Sequence, residues 1–238
     1  MGIVGNDVVD LRAPAIAQHH LRPRFIQRVL CESEQAGLAL AEEPKRMLWA
    51  LFAAKEAAYK VAVKLGMNPG FEHRNFEVSP EFDSVQYRDL RMHLRMSGGP
   101  EAVHAITATT TETVLFAAAA ATGSMDNSAA ARSLLCTTVG AVLQCDAGEL
   151  EVVREPTPGS WDGFAPPRLL QRGAPIDADV SLSHDGRFIG FAAYLLAVAI
   201  DGSVNVRFIP GHGMLDSAWL GINGLLALVL GRFSLPRR

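Results

Sequence analysis

Several features that mark common classes of protein are scarce or missing in these 238 residues. There are only three cysteines, with no C-x-x-C pair and no even framework for disulfides, which favours a reducing compartment. The formal net charge is -3, so the overall charge gives no reason to expect nucleic-acid binding. The opening residues lack the basic and apolar regions of a signal peptide, and no apolar run reaches the ~20 residues that span a bilayer. We therefore expect a cytoplasmic protein that binds neither nucleic acid nor a membrane.

Two common catalytic motifs are absent as well. No G-x-x-x-x-G-K-S/T loop is present to hold the phosphates of a nucleotide. Ser183 is followed by His184, but this serine does not lie in the G-x-S-x-G turn of hydrolases. A phosphate-loop enzyme and a serine hydrolase are therefore poor interpretations of the chain.

The strongest positive feature is the segment RMLWALFAAKEAAYKVAVKLG, residues 46–66. Nearly every residue favours a helix, Pro44 suits the first turn and Gly66 suits the end. Helical spacing places aromatic, acidic and basic residues along one side, namely Trp49, Phe52, Ala53, Glu56, Lys60 and Lys64. Taken alone, the segment favours an ordinary surface ion pair between Glu56 and Lys60.

An acidic strand and an arginine-rich segment precede this helix. Residues 3–11, IVGNDVVDL, favour a strand whose two acids, Asp7 and Asp10, either face solvent or belong to a site. Four arginines follow with no acid between residues 11 and 31, namely Arg12, Arg22, Arg24 and Arg28. This local cationic surface is either a solvated face, paired with Glu32 and Glu34, or a surface that steers an acidic partner.

The rest of the sequence indicates two α+β units. Strand-like segments at 85–95, 103–109 and 113–121 complete a first unit, 1–123. After the turn-prone GSMDNS at 123–128, a helix at 129–143 and strands at 150–154 and 179–196 form a second unit, 124–200. Residues 106–120 and 180–194 align without a gap as the same hairpin, which indicates a pseudo-twofold pair of units. Residues 201–238 are a C-terminal extension with a short apolar helix at 217–230.

Three motifs together resemble the 4′-phosphopantetheinyl transferases. They are GNDVVDL at 5–11, FAAKEAAYK at 52–60 and VSLSHD at 180–185, and FIQRVLCESE at 25–34 is similar to the family's segment before its helix. The short, trimeric holo-acyl-carrier-protein synthases have the same motif order in about half this length. The longer surfactin-type monomers fuse two halves with the S-x-S-H half first. The resemblance therefore implies an α+β pseudodimer with circularly permuted halves, or a short-type subunit with a long insertion.

The resemblance also implies an activity and its residues. Family members transfer 4′-phosphopantetheine from coenzyme A to a serine of an acyl or peptidyl carrier protein, releasing adenosine 3′,5′-bisphosphate. Asp7 and Glu56 would bind Mg²⁺, or Mn²⁺, since hard cations take carboxylate and phosphate oxygens. Glu56 would accept the serine proton directly or through a metal-bound water, and Lys60 would contact the phosphates. Ser183 and His184 would meet the 3′-phosphate, unless His184 is simply a buried histidine.

The chain also departs from the family pattern. Phe52 stands where tryptophan is common, and Val9 stands where surfactin-type members carry a second acid. In RGAP, residues 172–175, Ala174 replaces a basic phosphate contact, so Arg172 or Arg168 would supply it; Lys55 is a further basic candidate for coenzyme binding. The arginine-rich segment would bind the acidic carrier protein. A transferase-like module that only binds coenzyme A or a carrier protein is the alternative, although both Asp7 and Glu56 are retained.

Overall fold

The computed structural model describes residues 2–16, 22–70, 72–111, 114–120, 126–160 and 163–195. Helices and antiparallel sheets are mixed along this part of the chain, which confirms the predicted α+β class. The helices are α1 (Pro23–Val29), α2 (Glu32–Leu40), α3 (Pro44–Lys64) and α4 (Asn127–Leu143). No helix among the described residues is long and apolar enough to cross a membrane.

The largest sheet has five strands in the order β1-β5-β4-β3-β2. Its strands are β1 (Val4–Asp10), β2 (Glu77–Val78), β3 (Ser84–Tyr87), β4 (Leu90–Gly99) and β5 (Ala102–Ala108). The predicted strand at 85–95 is thus two strands, because the left-handed Arg88, with φ 51°, turns the chain between them. Helix α3 covers this sheet and closes the larger hydrophobic core.

Helix α3 lies very close to β1. It begins at Pro44 in its first turn and ends before Gly66, whose φ of 74° suits a helix end, as the sequence predicts. A Cβ added to Gly5 would lie 2.0 Å from the carbonyl oxygen of Ala57. Only glycine therefore lets strand and helix approach this closely, and the approach brings the acid of the GNDVVDL motif to the helix.

Two further sheets have three strands each, and one of them includes a strand from the predicted first unit, 1–123. One has the order β10-β11-β6, with β6 (Val114–Ala120), β10 (Ala178–Asp185) and β11 (Phe188–Leu195). The other has the order β7-β8-β9, with β7 (Leu150–Val153), β8 (Arg168–Gln171) and β9 (Ala174–Pro175). Helix α4 packs against β10 and β11 around a separate core that includes Leu135, Val139 and Phe191.

Side-chain oxygens of β10 join the β10-β11-β6 sheet to the five-stranded sheet. The backbone N–H groups of Val4, Asn6 and Asp10 donate to Asp179 Oδ2 at 2.7 Å, Ser181 Oγ at 3.0 Å and Asp185 Oδ2 at 2.8 Å, respectively. Each pair is separated by 175 residues, so the two strands run alongside each other in a fixed register. We call this set of bonds the β1–β10 seam.

The predicted pair of identical hairpins is wrong for the first unit. Strands β10 and β11 form a hairpin, whereas β5 pairs with β1 and β4 and β6 pairs with β11. Strand β1 occupies the edge of β5 that a β5–β6 hairpin would need, and no local pattern in the sequence reveals that competition. Residues 123–125 of the predicted boundary and the extension at 201–238 lie outside the described residues.

Candidate active site

Asp7 and Lys60 meet where β1 crosses α3. Lys60 Nζ donates to the carbonyl oxygen of Asn6 at 2.6 Å and to Asp7 Oδ1 at 3.1 Å. The Asp7 side chain is 16% exposed and that of Lys60 is 30% exposed. An ammonium group has three hydrogens and these two bonds use two of them, so one remains for a phosphate oxygen.

Glu56 lies one helical turn before Lys60, and the carboxylate of Glu56 is hydrogen-bonded to a histidine. Nε2 of His73 lies 2.6 Å from Glu56 Oε1, and the two side chains are 12% and 26% exposed. His73 lies in the short 3-10 turn His73–Asn75, which follows α3 after the turn at Gly66. Glu56 therefore faces a partner from the next structural element.

Electrostatics distinguish the two acids. Burial raises the pKa of Asp7 to about 6, helped by the charges of Glu56 and Asp185 and opposed by Lys60. Burial also acts to raise the pKa of Glu56, but the hydrogen bond and charge of His73, with the charge of Lys60, outweigh it and lower that pKa. Glu56 is thus a carboxylate at neutral pH, close enough to Asp7 to disfavour a second negative charge.

These acids fit a hard divalent cation. The second oxygens, Asp7 Oδ2 and Glu56 Oε2, accept no hydrogen bond from the part of the chain that the structure describes. Mg²⁺ typically takes one or two carboxylates and completes its shell with water and substrate phosphate. No group of three or more His, Cys, Asp or Glu side chains suited to a metal ion occurs among the described residues, and Asp7 and Glu56 are the candidate ligands in that part of the chain.

The structure does not bring Lys55 to this site. Its side chain is fully buried, and Lys55 Nζ forms an ion pair with Glu34 Oε2 at 2.7 Å and donates to the carbonyl oxygens of His73 and Phe76. Glu34 also accepts the N–H groups of Cys31 at 2.9 Å and Val78 at 3.0 Å. Lys55 therefore ties α2, α3 and the turn of His73 together, and its predicted contact with coenzyme A stays a prediction.

Ser183 and His184 lie on opposite faces of β10. Ser183 is buried in the junction between the sheets, where its Oγ accepts from Asn6 Nδ2 at 2.7 Å. His184 is exposed, which does not fit the reading of a buried histidine. In this arrangement only His184 of the pair is open to a ligand.

The remaining predicted residues lie on the surface. Arg172 Nη2 pairs with Glu149 Oε1 at 2.8 Å at the β8–β9 turn, and Arg168 pairs with Glu155 at 2.9 Å. Arg12 pairs with Glu101 at 2.6 Å. The other arginines of the cationic segment are exposed on and before α1, namely Arg22, Arg24 and Arg28.

Sequence reasoning missed His73, Glu34 and Asp185. Glu34 lies inside FIQRVLCESE, the segment that resembles the family's segment before its helix. That resemblance could have drawn attention to Glu34. His73 lies in a loop, and neither helical spacing nor a motif connects it to Glu56. Asp185 ends the VSLSHD motif. Its charge raises the pKa of Asp7, although the two residues are far apart in the sequence.

The fold and these contacts define an α+β protein with a paired-carboxylate site backed by a lysine and a histidine. Residues 3–112 match the 4′-phosphopantetheinyl transferase superfamily, which confirms the resemblance for this part of the chain. A curated relative, the holo-(acyl-carrier-protein) synthase of Shewanella frigidimarina, is 35% identical over 71 residues, 29% of this chain and 56% of the relative. The chain therefore matches about half the length of this relative.

One solved structure with partial similarity is the holo-(acyl-carrier-protein) synthase of Thermotoga maritima. It is 17% identical, and the match covers 74% of this chain and 86% of that chain with a TM-score of 0.33.

Proposed function

We propose that the protein transfers 4′-phosphopantetheine from coenzyme A to a serine of an acyl or peptidyl carrier protein. The observation that carries the proposal is the meeting of Asp7, Glu56 and Lys60 at the β1–α3 crossing, in the part of the chain that matches the superfamily. Two acids and an ammonium group suit a reaction at a pyrophosphate. The three free cysteines support the expected cytoplasmic location.

In the proposed reaction the serine oxygen attacks the β-phosphorus of coenzyme A, and the bond to the adenosine bisphosphate oxygen breaks. Asp7 and Glu56 would hold Mg²⁺, which when bound neutralises charge on the phosphate oxygens. Lys60 contributes its remaining N–H to the same oxygens. Glu56, an ionised carboxylate, accepts the serine proton directly or through a water.

We also propose the permuted pseudodimer as the architecture. In the gapless alignment of 106–120 with 180–194, Ala117 corresponds to Phe191, and the structure pairs these two residues between β6 and β11. An antiparallel pair centred on equivalent residues is what a local twofold axis produces, and this supports units 1–123 and 124–200 as related halves.

The test is a transfer assay. The protein is incubated with coenzyme A, Mg²⁺ and a panel of apo carrier proteins, and each carrier is weighed by mass spectrometry for one added phosphopantetheine group. Glu56→Gln, nearly isosteric, should lower the rate by ~10² or more without altering the circular dichroism spectrum. If no carrier gains mass while coenzyme A still binds, the alternative of a binding module replaces the enzyme.

A further inference from the structure

His73 is held rigidly over Glu56 by two aromatic rings of α3. Its ring stacks on Phe52, with centroids 5.6 Å apart and an interplanar angle of 13°, and on Tyr59 at 6.0 Å and 11°. These residues lie four positions before and three positions after Glu56, so on a helix they flank it on the same face. The imidazole therefore lies in a slot formed by the rings of Phe52 and Tyr59, with Glu56 at its base.

The backbone of His73 is fixed as well. Its carbonyl oxygen accepts from Lys55 Nζ at 3.2 Å and from the N–H of Phe76 at 3.0 Å. Lys55 is itself immobilised by Glu34 in a buried ion pair. Ring and backbone of His73 are therefore both anchored by α3, through Phe52, Tyr59 and Lys55.

The bond between His73 and Glu56 has a defined direction. A glutamate that binds a cation or accepts a proton is a carboxylate, whose oxygens can only accept hydrogen bonds. Nε2 of His73 therefore carries the hydrogen, and Glu56 Oε1 is committed to it.

Lys60 is the competing partner of Glu56. A glutamate and a lysine four residues later on a helix readily form an ion pair. In this structure Lys60 Nζ instead contacts Asp7 Oδ1 and the carbonyl oxygen of Asn6. Among the described residues, Asp7 and Glu56 thus each bind through one oxygen, to Lys60 and His73 respectively, and their second oxygens accept no hydrogen bond.

We propose that His73 is a positioning residue for the acid pair: it fixes one oxygen of Glu56 so that the other serves the cation or the serine proton and Lys60 stays with Asp7. The role deepens the proposed function and rests on it. Nothing in the superfamily match assigns it, because the assignment comes from the stacking and the hydrogen bond of this chain.

Two substitutions separate the hydrogen bond from the packing. His73→Phe keeps a ring in the slot but removes the N–H, and His73→Gln keeps a donor at a similar reach but loses the ring. We expect His73→Phe to weaken Mn²⁺ binding, measured by electron paramagnetic resonance of Mn²⁺ alone, and to lower kcat, each by ~10-fold or more. KM for coenzyme A should change less than twofold, and His73→Gln should recover most of both losses.

Arg74→Ala is the matched control, because Arg74 is the next residue of the same turn and is exposed. It should leave the Mn²⁺ affinity, kcat and the midpoint of thermal unfolding unchanged. If His73→Phe does not fold, His73→Met, which also lacks the N–H, replaces it.

Equal Mn²⁺ affinity and kcat in His73→Phe and the wild type would overturn the positioning role, as would absence of Mn²⁺ binding by the wild type. A loss that His73→Gln does not recover would also overturn it, since the ring alone would then matter. The Mn²⁺ measurement needs no turnover. Failure of the wild type to modify any carrier would therefore count against the proposed function and leave the positioning role to be decided by binding.

Discussion

Neighbouring residues of the FAAKEAAYK motif face different surroundings. Glu56 and Lys60 are one turn apart and share the face toward β1, as the spacing predicts. Lys55 lies about 100° around the helix from Glu56, and this small step places it in the core against Glu34. Sequence spacing predicted that Glu56 and Lys60 share a face of α3, but the buried partner of Lys55 depends on how α2 packs, which spacing does not encode.

Removing the charge of Glu34 should destabilise the protein strongly. Glu34→Gln keeps the shape of the side chain but leaves Lys55 charged in a fully buried position. Breaking a buried pair in this way costs ~3–5 kcal/mol, because one charge is left without compensation. We expect a loss of this size in the free energy of unfolding, measured by urea denaturation.

The control is Arg168→Gln, which breaks an exposed pair with Glu155. Exposed pairs contribute ~0–1 kcal/mol, so this variant should unfold almost as the wild type does. Equal losses of unfolding free energy in the two variants would show that the buried pair of Lys55 stabilises the protein no more than an exposed pair does.

At the scale of elements, local signals in the sequence predicted α3 and α4 well but did not predict the long-range pairings between strands. The start and end of α3 follow from Pro44 and Gly66, which are visible in the sequence. The placement of β1 on β5 and the transfer of β6 to β11 depend on competition between distant strands. For the same reason the loop that carries His73 to Glu56 was not predicted.

Helix α1 provides a test of carrier docking. Arg24 and Arg28 lie one turn apart and exposed, and neither forms an ion pair with a described residue; Glu34, offered as their partner, binds Lys55. Reversing both to Glu should raise the KM for an acidic carrier several-fold at low salt and leave that for coenzyme A nearly unchanged. The difference should shrink with added salt, because exposed charges are screened over ~8 Å at physiological ionic strength.

The matched comparison is the reversal of Arg88 to Glu, an exposed cation at the β3–β4 turn. It adds the same type of negative charge away from α1 and should leave the carrier KM close to that of the wild type. An unchanged carrier KM in the α1 double variant would mean that these arginines only solvate the helix.

The hairpin turn between β10 and β11 is fastened to β1 by an ion pair with a clear pH signature. The hydrogen bond from Arg187 lowers the pKa of the buried Asp10 to about 2, against burial and with help from the backbone N–H groups of Arg12 and Arg187. Because the folded-state pKa lies below the ordinary 3.8, the stabilisation is present above pH ~4 and is lost as the pH falls toward 2.

Arg187→Gln should remove most of this contribution, at most about 2 kcal/mol for a shift of this size. The expected result is a lower free energy of unfolding at pH 7 and a shallower decline between pH 4 and pH 2.5, measured by urea denaturation at several pH values. A pH profile parallel to that of the wild type would contradict the role of this pair.

At the scale of the whole molecule, the two proposed halves are chemically unequal. The sequence predicted this from Thr110 standing in the gapless alignment where the second unit has His184. Helix α4, the main helix of the second unit, contains no Asp or Glu, so it has no counterpart of Glu56. We therefore expect the proposed chemistry to depend on acids of the first half that α4 does not duplicate.

Coenzyme A should bind with a stoichiometry near one per chain. Titration calorimetry with Mg²⁺ present gives this number directly, and Glu56→Gln serves as a control that should not create or remove a second site. Two equal sites per chain would refute the pseudodimer with a single active site.

The β1–β10 seam has a consequence for which strand can lie beside β1. A ladder of backbone hydrogen bonds looks the same for almost any sequence, whereas this seam requires acceptor side chains at Asp179, Ser181 and Asp185 on alternate positions of one strand. The strand that can lie beside β1 is therefore specified by three side chains of β10. A strand with other side chains would leave these N–H groups of β1 without their acceptors, so we expect the seam to favour β10 over a foreign strand.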